Sequence, residues 1–181
     1  MRKVKGKQSR LPRHGADEPA GILSKHLSDK LGWENDTNVV LENVVSHTGS
    51  DGYGRLARQA RFTGDIEKGR NYVLVDDFVG MGGTLANLKG HIEHNGGHVI
   101  GSVSLTGKPS SAKLKVSEER LNELRTKHPK LEQWWKSRFG HAFDSLTESE
   151  ARYLARSPDA DTIRSRIAEA EQNRNVGIAE Q

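Results

Sequence analysis

The chain lacks cysteine altogether and has few aromatic residues, with three Trp, three Tyr and four Phe among 181 residues. Without cysteine there can be no disulfide, no thiolate nucleophile and no sulfur-ligated zinc. No apolar run approaches the roughly 20 residues that span a bilayer. The basic N-terminus is not followed by the apolar stretch of a secretory signal. A membrane partner is therefore not expected, and the cytoplasm is the expected location. The aromatic and aliphatic content suffices for one modest core. Mean hydropathy is low, at −0.75, so part of the chain should be a polar surface or a weakly packed tail.

What is abundant is charge. Lys and Arg number 28 against 24 Asp and Glu, for a net +4. Much of the excess sits at the start, where Arg2, Lys3, Lys5, Lys7, Arg10 and Arg13 precede the first acid, Asp17. Such a run can bind nucleic acid by counterion release. No aromatic residue is interleaved to stack on bases, so a solvated, irregular tail over residues 1–16 is the preferred reading.

Patterning divides the rest into an α/β core over residues 17–110 and a helical appendage over 111–181. Pro19 suits the first turn of a helix ending at Leu31 before Gly32, with Ile22, Leu23, His26, Leu27 and Leu31 as its core stripe. Residues 38–45 read as a strand, and residues 47–54 as a mobile loop rich in Gly. A short helix is expected over residues 55–61. Tyr72 to Val75 is a short, continuously apolar strand of the kind covered on both faces. Residues 83–94 read as a helix stopped by Asn95, Gly96 and Gly97. A further strand over residues 98–105 completes a right-handed βαβ unit. In the appendage Ser117 caps a helix to Lys127. A second helix runs from Pro129 to Phe139, Thr147 with Glu150 forms a capping box, and a last helix runs from Pro158 to about Ala170.

One segment carries chemistry: Tyr72-Val-Leu-Val-Asp-Asp-Phe-Val-Gly-Met-Gly-Gly-Thr-Leu-Ala-Asn87. A buried strand delivers Asp76 and Asp77 to the edge where open parallel sheets bind ligands. Gly80, Met81, Gly82 and Gly83 form a turn, and Thr84 opens a helix whose free amides suit a phosphate. The acids suit sugar hydroxyls or a hydrated Mg²⁺. No Walker Gly-Lys-Ser/Thr is present, and a dinucleotide fingerprint would place the acids after the glycines. The plain structural alternative is a tight turn with Asp76 and Asp77 as caps.

This order of strand, paired acids, Gly-Gly-Thr and helix resembles the signature of type I phosphoribosyltransferases, including purine and competence-type members. The resemblance implies an α/β fold with a mainly parallel sheet of that kind. It implies transfer of a 5-phosphoribosyl group between phosphoribosyl pyrophosphate (PRPP) and a nitrogenous base, releasing pyrophosphate. The alternative is a non-catalytic regulatory module that keeps the PRPP or nucleotide site. Asp76 and Asp77 would be catalytic and hold Mg²⁺ directly or through water and ligand, and the Gly80 to Thr84 turn would grip the 5′-phosphate. Arg55, Arg58 and Arg61 match the flexible loop over the leaving group, or else lie on an exposed helix. Arg13 and Gly15 match the pyrophosphate loop. Phe78 and Lys108 fall where the base would be contacted. Small members of the family often pair, so a homodimer is a further expectation.

The chain departs from the family in three places. Gly80 replaces an acid that several purine enzymes carry. Met81 replaces a Thr in the phosphate turn. The third departure is larger: only residues 1–11 precede the pyrophosphate loop, and their polarity argues against the buried strand that the family needs there. His91, His94 and His98 are expected to be solvent-exposed rather than metal ligands. At least one of Trp134 and Trp135 should be core.

Overall fold

A computed structural model of the chain describes residues 6–10, 19–43 and 51–179, the side chains of 6–10 and 173–179 excepted. In order come β1 (Gly6–Arg10), α1 (Pro19–Leu31), β2 (Glu34–Asp36), β3 (Val40–Leu41), α2 (Gly52–Ala57), β4 (Phe62–Thr63), β5 (Asn71–Val79), α3 (Gly83–His94), β6 (His98–Gly107), α4 (Glu118–Lys127), α5 (Leu131–Phe139), α6 (Glu148–Ala155) and α7 (Ala160–Ala179). They divide into two compact units. The sheet unit takes Met1–Val44, Ala60–Gly80 and Thr84–Pro109, and the helical unit takes Val45–Gln59, Met81–Gly83 and Ser110–Gln181.

The sheet unit is α/β. Four parallel strands run in the order β2-β1-β5-β6. Tyr72, Val73, Leu74 and Val75 of β5 are all buried, as a continuously apolar interior strand requires. Strand β1 corrects the expectation that the polar N-terminus could not enter the sheet: Gly6–Arg10 pairs with β5 from Gly6↔Asn71 to Arg10↔Val75. Ladder hydrogen bonds come from the backbone, which every sequence has, and composition alone does not veto them. Of residues 38–45, only Val40–Leu41 forms a strand, paired antiparallel with β4. Val44 and Val45 lie outside the described residues.

Helix α1 has the expected bounds but the opposite face inward. Ala20, Gly21, Ser24 and Ser28 are buried, while Ile22 is 57% and Leu31 50% exposed. His26 is exposed as well, and Leu23 and Leu27 are half-buried. Small residues let the helix backbone come close to β1, β2 and β5. Its hydroxyls then find partners at that short range, Ser24 Oγ donating to Asn35 Oδ1 at 2.9 Å and Ser28 Oγ to the Trp33 carbonyl. Apolar periodicity located the helix but not the face that packs.

The helical unit closes around Trp135, Phe143, Leu121, Leu124, Leu131, Leu146, Leu154, Ile163 and Ile167, all buried. Trp135 lies 4.4 Å from Phe139 and 5.8 Å from Phe143, centroid to centroid. Leu56 of α2 joins this core. The short helix is set at Gly52–Ala57 by Asp51, whose Oδ1 accepts from Gly54 N at 2.8 Å, so it starts before residue 55. Residues 47–50 of the expected loop lie outside the described residues. Ser117 caps α4, and Thr147 with Glu150 forms a full capping box on α6. Helix α5 begins at Leu131 and α7 runs to Ala179.

Candidate functional site

Strand β5 does not end at the paired acids. It continues through Phe78 and Val79, with Asp76 opposite Ser104 and Phe78 opposite Thr106 of β6. Successive side chains on a strand point to opposite faces, so Asp76 and Asp77 diverge. Asp76 is 5% exposed and its Oδ1 accepts from Asp77 N at 2.9 Å. Asp77 is half-buried and its Oδ1 accepts from Phe78 N at 2.8 Å. Among the described residues, no group of three or more His, Asp or Glu gathers in a metal-holding cluster.

The turn after β5 belongs to the helical unit. Gly82 has φ +84°, a conformation that costs Gly least. A Cβ added there would stand 3.0 Å from Leu114 Cδ2 and 3.2 Å from the Ser111 carbonyl. Next to it, Gly83 is the first residue of α3, and a Cβ there would collide with the Glu150 carboxylate. Thr147 ties the same turn down, its Oγ1 donating to the Met81 carbonyl at 2.7 Å. Glu150 Oε2 accepts from Thr147 N at 2.8 Å. Burial is the largest influence on the Glu150 carboxyl and raises its pKa, against the Thr147 hydrogen bonds. The glycines thus make room for side chains of the chain itself, and an acid of α6 abuts the helix start read as an anion site.

The remaining candidates are spread over both units. Asp76, Asp77, Phe78, Gly80, Thr84, Arg61 and Lys108 belong to the sheet unit, and Met81, Gly82, Gly83, Arg55 and Arg58 to the helical unit. Phe78 is 47% exposed. Lys108 is exposed, and its N–H donates to the Val79 carbonyl at 3.3 Å. Gly80 and Thr84 are half-buried. Arg55 is half-buried, Arg58 Nε donates to the Gly54 carbonyl at 3.0 Å, and Arg61 is exposed with its N–H on Asn43 Oδ1 at 2.8 Å. Arg13 and Gly15 lie outside the described residues. His94 and His98 are exposed, but His91 is half-buried with Nε2 3.2 Å from the Gly64 carbonyl.

Two features escaped the sequence. The Thr147–Glu150 box was legible as a cap, but its contact with Met81 and Gly83 links residues some 66 positions apart, and nothing local signals that. His128 is 2% exposed with no partner for Nε2. Desolvation lowers its pKa, outweighing the hydrogen bond with Leu154.

No family model matches the chain. The chain is similar to Protein TraN of Escherichia coli, with 38% identity over 157 residues that make up 86% of this chain and 35% of that protein. A protein of Haemophilus influenzae is 42% identical over 88 residues, 45% of this chain and 20% of its own length. The chain thus spans about a third or less of the curated relatives it matches. Among solved structures, a crystal structure of adenine phosphoribosyltransferase is similar over 59% of each chain, at 17% identity and TM-score 0.41. A likeness of that size carries no assignment.

The relative that covers most of the chain is named TraN and not as a transferase. That match overturns the expected phosphoribosyl transfer, its regulatory PRPP-binding alternative and the implied place in nucleotide metabolism. In the structure the paired acids alternate across a continuing strand, and the Gly-rich turn is lined by Leu114, Thr147 and Glu150. As to membranes, no helix among the described residues is long and apolar enough to cross one.

Proposed function

We propose that the chain is a protein-docking module whose sheet unit presents apolar surface to a partner chain. One observation carries this. Ile22, Leu31, Val40, Phe78, Ile100, Val103 and Leu105 are 38–59% exposed, and all seven belong to the sheet unit. An exposed apolar residue here and there is ordinary. Three of the seven lie on a single edge strand, Val103 and Leu105 on one face of it and Ile100 on the other, and exposed apolar surface gathered in one unit suits an interaction site.

The two edges of the sheet sharpen the point. Strand β2 has three residues, two of them acidic, and its Glu34 pairs with Arg70 at 2.5 Å. Short, charged edges resist pairing. Strand β6 has ten residues with no Lys, Arg, Asp or Glu among them, and every residue but Val99 is exposed. Among the described residues no strand pairs with its outer row of N–H and C=O groups, which suits strand addition.

The test is a photo-cross-linking scan in cells with p-benzoylphenylalanine. Positions Ile22, Leu31 and Leu105 sample the sheet unit, and Asn122, Lys136 and Ser165 the helical unit. Adducts should concentrate at the first three. Equal yields from both sets, or none from the sheet unit, would overturn the proposal.

A further inference from the structure

Helices α4 and α6 pack against each other, and the end of α4 holds the end of α6 through two side chains. Lys127 Nζ donates to the Ala155 carbonyl at 2.8 Å, and the His128 ring donates to the Leu154 carbonyl. Both acceptors belong to the last turn of α6, where carbonyls lack the partner that a continuing helix would supply. The main chain pins His128 in place. Its N–H donates to the Leu124 carbonyl at 2.9 Å, and its carbonyl accepts from Leu131 N at 3.0 Å. The residue is 2% exposed, and among the described residues its Nε2 is buried with no partner. The bond to Leu154 is therefore made by Nδ1–H, and Nε2 carries the lone pair of a neutral imidazole.

We propose that His128 is a proton-operated latch, and that protonating Nε2 frees the end of α6 from α4 while the rest of the helical unit stays folded. A proton on Nε2 makes a cation whose new N–H faces no acceptor. Burying such a group is costly unless it is paired and hydrogen-bonded, and water reaches it only if the two helix ends part. Two charged groups act on the ring. Lys127, on its own helix, opposes the proton, and Asp159, ahead of α7, favours it. Asp159 does not compensate for the burial, because it is exposed and its Oδ1 accepts from Thr162 N at 2.7 Å. From α6 and α5 the residue meets backbone groups, the Leu154 carbonyl and the Leu131 amide. Desolvation outweighs the Leu154 bond and holds the pKa low.

With the ends parted, the imidazole titrates near its ordinary 6.5. The latch is therefore shut above that pH. Each pH unit below it favours the parted form by about tenfold, until the closed ring also protonates. The starts of the same two helices are tied separately. Glu148 Oε2 accepts from Ser117 N at 2.8 Å, and Oε1 accepts from Arg120 Nε at 3.4 Å. Desolvation raises the Glu148 pKa, but these bonds lower it overall, so this tie holds while the histidine titrates.

Hydrogen exchange of the full chain, followed by mass spectrometry and corrected for the intrinsic effect of pH, reads the latch. From about pH 6.5 to about pH 5.5, protection of the amides of residues 153–157 should fall by about tenfold. The amides of residues 163–167 in α7 should keep theirs. In His128→Asn a side-chain amide can stand where Nδ1–H does without titrating, so residues 153–157 should stay protected over the same range. Unchanged protection at 153–157 in the unsubstituted chain, or an equal loss at 163–167, overturns the latch. If the variant does not fold, the tautomer of the unsubstituted chain decides. Nitrogen-15 NMR well above the ordinary histidine pKa should find His128 neutral with its proton on Nδ1, and a proton on Nε2 sinks the proposal.

Discussion

Trp135 and Leu105 mark the two ways this chain treats a large apolar side chain. Trp135 is fully buried among Leu131, Phe139 and Phe143, in a unit whose described residues leave no large apolar side chain exposed. Leu105 is 59% exposed on the last strand of a sheet whose interior strand is buried. Both units thus have a core, but only the helical one encloses its apolar surface. Burial stabilises in proportion to apolar area removed from water, so the exposed residues of β6 contribute little to folding. What they contribute must be sought in association.

That contrast can be broken experimentally, beginning with the largest effect. Trp135→Ala should cost about 3–5 kcal/mol, read as a lowered urea midpoint followed by far-UV circular dichroism. A loss below about 1 kcal/mol would show that the helical unit is not held by this core. Next, Gly83→Ala should cost about 1–3 kcal/mol through overpacking, because the new methyl meets Glu150. Adding Glu150→Ala should recover part of that loss, so the two changes should combine to less than their sum. Strict additivity would mean the two positions do not touch.

A smaller effect depends on pH. Burial holds the folded-state pKa of His128 below the ordinary value of about 6.5. The unfolded chain therefore takes up a proton at a pH where the folded one does not. Stability is complete above about pH 6.5 and declines as pH falls below it, until the folded imidazole also protonates. His128→Gln should flatten the slope of stability against pH just below that value, and an unchanged slope would remove His128 from the account. Smallest of all, Leu105→Ser should change stability by no more than about 0.5 kcal/mol while reducing association through β6. A large destabilisation would mean that Leu105 belongs to a core after all.

Much of the fold was legible because it is written locally. Caps at Ser117 and Thr147, the stop at Gly96, and the continuous apolar run at Tyr72–Val75 each placed an element correctly. What could not be read was long-range. The inward face of α1 was decided by how closely its small residues approach the sheet, not by where its leucines fall. The entry of Gly6–Arg10 into the sheet was decided by ladder pairing. The Gly-rich turn was the most persuasive motif, yet an anion site and a snug fit for Glu150 ask for the same glycines. The contact with Glu150 of α6 is long-range and could not be read locally.

The contact between Gly83 and Glu150 has a consequence for natural variation. A residue larger than glycine at position 83 requires the Glu150 carboxylate to leave its place or a shorter residue to stand at 150. Across divergent relatives these two positions should therefore change in concert, although they stand 67 positions apart. Thr147, whose hydroxyl serves both the Met81 carbonyl and the Glu150 amide, should tolerate serine but not valine.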